Sequence, residues 1–174
     1  MKALRTITGE PRTCLDMASP IGRLRLIAIG DELTGIWFEQ GRDARKGDPS
    51  LVSGSSAVLE RTQSQLEQYF SGERREFDLP LAPQGTEFQR RVWQRLLGIE
   101  YGTTTTYGDL ARELGNLNAS RAVGLANGSN PIPIVIPCHR VIGANGALTG
   151  FGGGLPIKRA LLELERASTQ PRLF

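Results

Sequence analysis

Residues 103–128, "TTTTYGDLARELGNLNASRAVGLANG", decide how the second half of the chain folds. Thr106 is placed to cap a helix, Asp109 sits near its positive start, and Leu110, Ala111 and Leu114 lie on one inward face until Gly115 stops it. After the "NLN" turn, "ASRAVGLANG" opens a second short helix that ends at Gly128. Two short helices joined by a tight turn read as a helix-turn-helix. The second is rich in small residues, Ala119, Ser120, Ala122, Gly124 and Ala126, so its backbone can approach another surface closely. Arg121 is the one long side chain near its start. That arginine is either an ordinary surface residue on a cramped helix or a side chain reaching into nucleic acid.

Upstream, Thr86 and Gln89 form a capping box for a helix carrying Phe88, Val92, Trp93, Leu96 and Leu97, closed by Gly98. Downstream, "PIKRALLELERA" is the last helix with Pro156 at its first position, and residues 167–174 read as a frayed tail. In the first half, residues 12–40 alternate apolar and polar residues with breaks at Ser19-Pro20, Gly30-Asp31 and Gly35, which predicts a small antiparallel sheet of hairpins. "GRDARKGDPS" (41–50) reads as an exposed loop. "SSAVLERTQSQLEQYFSG" (55–72) reads as a helix capped by Ser55 or Ser56, with Leu59, Leu66 and Phe70 on one face and Gly72 at its end. "REFDLPLAPQGT" reads as a short strand and a linker, which places a domain boundary between Leu81 and Gly85.

The chain of 174 residues carries a formal net charge of +3, which permits an anionic partner without requiring one. Two cysteines allow at most a single bridge, not a disulfide framework, and with one histidine they are too few for a conventional four-ligand Cys/His zinc site. No leader-like segment and no membrane-length apolar run is visible, so the cytoplasm is the expected address.

The chemistry concentrates in "NPIPIVIPCHRVIG" (130–143). It reads as a buried strand that ends at Pro137, which cannot donate to a ladder, leaving Cys138 at the element's edge beside His139 and Arg140. A buried cysteine is usually a small hydrophobe, but a thiol beside a base or a cation favours its thiolate. Neighbours in an extended strand face opposite ways, so the backbone must turn sharply there or a water must bridge the two side chains. Cys14 reads as a core residue of the first strand. Tyr107 is either a core aromatic or a phenol on the same surface as Arg121. The glycines of "GANGALTGFGGG" (143–154) form a mobile loop or allow close approach to a flat ligand; they are not a P-loop.

"RAVGLANGSNPIPIVIPCHRVIG" (121–143), followed by "GALTGFGGGLPIKRALLELE" (146–165), closely resembles the O6-alkylguanine-DNA alkyltransferase family, also called methylated-DNA–protein-cysteine methyltransferase, with "PCHR" as the signature around its acceptor cysteine. The resemblance runs from about Thr86 to Arg166, and "SPIGRLRLIA" and "LEQYFSGERREFDLPL" extend it into the first half. It implies an α+β fold. Residues 1–83 would form a ribonuclease-H-like N-terminal domain with an antiparallel sheet, and residues 84–166 a mostly helical, winged-helix-like domain with a helix-turn-helix.

It also implies direct repair of O6-methylguanine, and of O4-methylthymine, by a single-use transfer to cysteine after the nucleotide is flipped out of duplex DNA. Cys138 matches the acceptor, linked through water to His139 and Glu165. Tyr107 matches the tyrosine donating toward guanine N3. Arg121 matches the arginine that fills the vacated stack, with Ser120, Ala122 and Gly124 on the same DNA-facing helix. Asn130 matches the asparagine joining that helix to the cysteine segment. The carbonyls of Cys138 and Val141 and the N–H of Gly152 match groups on the guanine edge, while Pro133, Phe151 and Lys158 match pocket positions. No cofactor or metal is implied, no membrane, and a monomer is expected. Phe151 stands where many relatives carry tyrosine and Gly152 where some carry serine, which bears on substrate range. A module that recognises lesions without transferring would lack Cys138. A cysteine hydrolase would want a distant histidine, and a transcription factor would leave the Cys-His-Glu set unexplained.

Overall fold

The computed structural model describes residue 4, residues 11–39 and residues 49–169. Its fold is α+β, with a small sheet first and helices after it. Strands β1 (Arg12–Met17), β2 (Leu24–Ile29) and β3 (Glu32–Phe38) form an antiparallel meander, and β4 (Leu51–Ser53) adds to β1 in parallel, giving the order β3-β2-β1-β4. The parallel β4 follows the expected loop of residues 41–50, in a stretch for which the sequence suggested no element; residues 41–48 of that loop fall outside the described residues. Gly35 does not break the third strand. It lies opposite Ile27, where the register shifts, and the extra residue lets Leu33, Ile36 and Phe38 all face the main core while Trp37 joins Cys14 and Ile27 on the other face.

Helix α1 (Ala57–Phe70) covers the inner face of this sheet. Ser56 is its N-cap without a side-chain cap bond. The buried stripe is Leu59, Thr62, Leu66 and Tyr69, whereas Phe70 is only partly buried. The 3.6-residue period therefore turns the tyrosine, not the phenylalanine, into the core. Residues 75–82 form no strand. A single bridge joins Leu81 to Leu33, with Leu33 N–H donating to the Pro80 carbonyl at 2.9 Å and Ala82 N–H to the Leu33 carbonyl at 2.9 Å. Prolines 80 and 83 remove the donors that a longer ladder would need.

The second half follows its capping signals closely. Helix α2 (Glu87–Leu96) starts on the Thr86–Gln89 capping box. After the short β5 (Thr105–Thr106), α3 (Tyr107–Glu113) starts where the Thr106 hydroxyl accepts from Asp109 N–H. Gly115 turns the chain at a φ of 82°, and a 3₁₀ turn (Leu117–Ala119) leads into α4 (Ser120–Gly128). A second 3₁₀ turn (Cys138–Arg140) precedes β6 (Val141–Ile142), which pairs in parallel with β5. Helix α5 (Leu155–Thr169) begins one residue before Pro156 and continues through Ser168 and Thr169, so the expected tail is helical up to that point; residues 170–174 lie outside the described residues.

One continuous core joins Leu24, Leu26, Leu59 and Leu66 of the first half to Val92, Leu110, Val123 and Leu161 of the second. Trp93 is buried in it and donates Nε1–H to the Ala126 carbonyl at 2.8 Å, which ties α2 to α4. A β-carbon at Gly85 would stand 2.4 Å from the Trp93 ring. Gly85→Ala should therefore cost about 1–3 kcal/mol of stability by overpacking a ring that has nowhere to move. Urea unfolding of the two proteins, compared at equal m-value, measures it.

Candidate active site around Cys138

Residues 130–137 do not form the expected strand. Prolines 131, 133 and 137 leave too few donors for a ladder, and the segment closes on itself instead. Asn130 binds both ends of the loop. Its Nδ2 donates to the Ile136 carbonyl at 2.8 Å, and its Oδ1 accepts from Ile132 N–H at 3.0 Å. Ile136 N–H returns to the Ile132 carbonyl at 2.9 Å, and Pro133 bridges Ile136. Ile134 is held at a φ of 74°, a conformation costing a β-branched residue on the order of 1–3 kcal/mol. Its complete burial and the bonds around it hold that strain in place.

The chain leaves this loop through a 3₁₀ turn, so the backbone does turn sharply at Cys138 and His139. Cys138 is buried, its amide donates to the Ile136 carbonyl at 2.8 Å, and its carbonyl accepts from Asn127 Nδ2 at 3.3 Å. Arg140 N–H closes the turn on the Pro137 carbonyl at 3.0 Å.

His139 and Glu165 have no exposed surface and meet at 2.8 Å, Nε2 to Oε1. Glu165 also accepts from the Tyr69 hydroxyl at 2.8 Å, from Gly102 N–H at 3.0 Å and from Arg140, whose Nε and Nη2 approach at 3.0 and 2.9 Å. Burial alone would raise this carboxyl's pKa, but the hydrogen bonds from His139 and Arg140 outweigh it and hold it at about 2. An ionised carboxylate only accepts, so Nε2 must carry a proton. Burial, with Arg140 and Lys158 nearby, also keeps the imidazole pKa below its ordinary value against the pull of Glu165. A neutral ring protonated at Nε2 leaves Nδ1 with its lone pair, and Nδ1 has no hydrogen-bond partner among the described residues.

Lys158, also fully buried, donates to the carbonyls of Val141 at 2.6 Å and Thr149 at 2.8 Å. It thereby fastens the glycine-rich loop to β6. Burial lowers its pKa, and the nearby Cys138 opposes that. Tyr107 begins α3, half-buried, with its hydroxyl 3.2 Å from Thr149 Oγ1 and the Lys158 ammonium 6.0 Å from its ring centroid. Burial keeps the phenol pKa above its usual value. A β-carbon on Gly124 would lie 3.8 Å from the same ring, an ordinary van der Waals contact, so α4 passes beside Tyr107. Phe151 packs on Phe38 of β3, centroids 5.5 Å apart, and Gly152 is half-exposed in the loop beside it.

The structure thus gathers Cys138, His139, Glu165, Lys158, Val141, Asn130 and Tyr107 around one turn. Arg121 and Ala122 stand apart on the exposed face of α4, with Ser120 half-buried beside them. Cys14 lies on the far face of the sheet against Ile27 and Trp37. Sequence reasoning gave no role to Tyr69, Gly102 or Asn127, and it read Arg140 as a cation beside the thiol rather than as a partner of Glu165. The stripe of Leu59, Leu66 and Tyr69 was the available signal for the first, since a buried phenol needs a partner. Among the described residues, no cluster of three His, Cys, Asp or Glu side chains could hold a metal ion, and no helix is long and apolar enough to cross a membrane.

A depressed carboxyl pKa adds stability that is present above the unfolded value of 4.5 and is lost as pH falls toward 2. A shift of this size is worth about 3 kcal/mol. Glu165→Gln should therefore be less stable than the parent above pH 4.5, with the gap closing steadily as pH falls toward 2. Denaturant unfolding across that range reads the gap directly.

Comparison with known proteins shows the family to which the chain belongs. Residues 16–83 match the family model of the 6-O-methylguanine DNA methyltransferase ribonuclease-like domain, and residues 87–167 match that of the family's DNA-binding domain. The methylated-DNA–protein-cysteine methyltransferase of Mycobacterium tuberculosis is 51% identical over 154 residues, covering 86% of this chain and 89% of that one. The protein of the same name from Methanosarcina acetivorans is 51% identical over 147 residues, covering 84% and 94%. A crystal structure of Mycobacterium tuberculosis O6-methylguanine methyltransferase superposes with a TM-score of 0.83 at 46% identity, covering 93% of this chain and 97% of that one. A structure of Mycobacterium tuberculosis OGT in complex with DNA superposes with a TM-score of 0.80 at 46% identity, covering 90% and 93%. With family models spanning nearly the whole chain and relatives at about half identity, the chain belongs to the 6-O-methylguanine DNA methyltransferase family.

Proposed function

We propose that this protein repairs O6-alkylated guanine, and O4-methylthymine, in duplex DNA by moving the alkyl group once and irreversibly to Cys138. The observation that carries this reading is the 2.8 Å contact between His139 Nε2 and Glu165, from which the tautomer follows. Glu165 accepts a hydrogen bond from the protonated Nε2, and a lone pair is left on Nδ1 of the residue next to the thiol. The thiol proton passes to Nδ1, directly or through one water, and Sγ attacks the alkyl carbon in line. The S–C bond forms as the C–O6 bond breaks, and the electron pair stays on the purine. Tyr107, kept protonated by its burial, supplies a proton or hydrogen bond to N3. Solvent then re-protonates Tyr107 and takes the proton from His139. The thioether has no hydrolytic exit, so no cofactor and no second turnover enter the scheme.

The lesion carbon is out of reach inside a stacked duplex, so the nucleotide must be flipped. Arg121 and Ala122 on the exposed face of α4, with Ser120 and Gly124 along it, present the surface that meets DNA, and Arg121 fills the vacated space. The carbonyls of Cys138 and Val141 and the N–H of Gly152 bind the guanine edge. Pro133 and Phe151 complete the pocket wall, where phenylalanine offers no hydroxyl to the alkyl group. The division into residues 1–83 and 84–166, and action as a monomer, belong to the same proposal.

Incubation with a duplex containing O6-methylguanine should add a single methyl to the intact mass, with repaired guanine reaching a plateau at about one per protein. Cys138→Ser should bind the duplex and take up no methyl, while Cys14→Ser should transfer normally. An unchanged mass with DNA binding retained would mean recognition without transfer.

Arg121→Ala separates flipping from chemistry. Losing the stack-filling side chain should slow single-turnover transfer from saturating duplex by tens of fold or more, about the cost of leaving a base unstacked. Transfer from O6-benzylguanine as the isolated base should change little. Full speed on saturating duplex would make Arg121 a phosphate anchor only.

A further inference from the structure

Glu165 Oε1 is shared. It receives His139 Nε2 at 2.8 Å, Arg140 Nη2 at 2.9 Å and the hydroxyl of Tyr69 at 2.8 Å. The last donor comes from α1, 96 residues away in sequence and in the other half of the chain. We infer that Tyr69 is a positioning residue that limits the basicity Glu165 confers on His139, so that the N-terminal half sets the reactivity of Cys138. The functional meaning of this inference rests on the transfer reading above; its physical content does not.

The geometry fixes Tyr69 for that task. The residue has no exposed surface, and its ring is enclosed by Phe70 and Phe77 at 5.4 Å and by Tyr101 at 6.0 Å between centroids. Its hydroxyl therefore has one place to point. Burial first, and then the charge of Glu165, keep the phenol protonated and so always a donor. Each donor on a carboxylate oxygen stabilises the anion and reduces what that oxygen offers its other donors. Tyr69 thus competes with the Nε2–H of His139 for one oxygen.

The other groups around the imidazole are accounted for. Arg140 bonds Glu165 and lies 5.6 Å from the Tyr101 ring centroid, with its Nη1 on the Ile99 carbonyl at 2.6 Å. Among the described residues the Tyr101 hydroxyl has no hydrogen-bond partner, and Gly102 N–H occupies Oε2. Lys158 is held by two carbonyls and, with Arg140, opposes protonation of the imidazole. Of these groups, Tyr69 is the neutral side chain on Oε1, so deleting its hydroxyl changes the hydrogen bonding without changing the charge count.

The test uses Tyr69→Phe, which keeps the ring and its packing. His139 is the chain's only histidine, so one set of imidazole resonances reports its titration by NMR without ambiguity. The variant should titrate at higher pH than the parent, by roughly half a unit or more, because the freed oxygen pulls harder on the imidazolium. The rate of iodoacetamide alkylation at Cys138, read by peptide mapping at pH 7, should rise roughly twofold or more as the base strengthens. An unchanged or lower His139 midpoint overturns the inference. If the imidazole stays neutral in both proteins until the fold is lost, the alkylation rate decides, and an equal or slower rate overturns it. Neither readout involves DNA. A chain that takes no methyl from a duplex would therefore overturn the proposed function and leave this inference standing, and the reverse holds equally.

Discussion

A carboxylate with no exposed surface is tolerable only when its charge is compensated where it sits, and Glu165 is compensated by four residues from three places in the chain. Tyr69 reaches it from α1, Gly102 from the turn before β5, and His139 and Arg140 from the 3₁₀ turn that carries Cys138. Stripping water from an isolated carboxylate would cost many kcal/mol, and these donors together offset that cost. The consequence is positional. Helix α5, the sheet-covering α1 and the cysteine turn cannot slide relative to one another without exposing that charge.

The edge of β3 supplies the second constraint. An unpaired strand edge invites association, and here it is covered by the chain's own segments. Leu33 pairs with residues 80–82, and Ile36 N–H donates to the Pro131 carbonyl at 2.9 Å, so the loop before Cys138 docks on the first sheet. Two residues along, Phe38 meets Phe151, and a β-carbon on Gly153 would stand 3.0 Å from the Phe38 ring. One strand edge therefore positions the loop leading into the thiol and the glycine-rich loop beyond it. The bulge opposite Ile27 matters because it turns Leu33, Ile36 and Phe38 to the same side.

The site is rigid where the chemistry is proposed and open where the partner is. Around Cys138 the side chains are buried and hydrogen-bonded, and Ile134 carries backbone strain that the surrounding burial holds. On α4 the exposed residues Arg121 and Ala122 stand against a buried Val123 and Ala126, a helix packed on one side and available on the other. Reaction geometry demands fixed atoms, whereas binding a surface demands uncommitted ones.

Local rules settled much of this fold in advance. The capping box at Thr86, the Thr106 cap, the glycine turn at Gly115 and the helices they bound depend on neighbours within four residues, so they are legible in sequence. The resemblance carried by residues 121–165 likewise matched a family that the comparisons bear out. What sequence alone misjudged was the segment before Cys138. An apolar run reads as a strand, yet its prolines and the Asn130 side chain close it into a loop, and no periodicity records a side-chain bond to the backbone six residues on. The same limit hid β4, whose ladder partner lies in β1, and the hydroxyl of Tyr69, whose partner lies 96 residues away. Helix periodicity and capping are local properties of the chain. Pairing between distant segments, and the sharing of one buried charge among them, exist only once tertiary packing has brought those segments together.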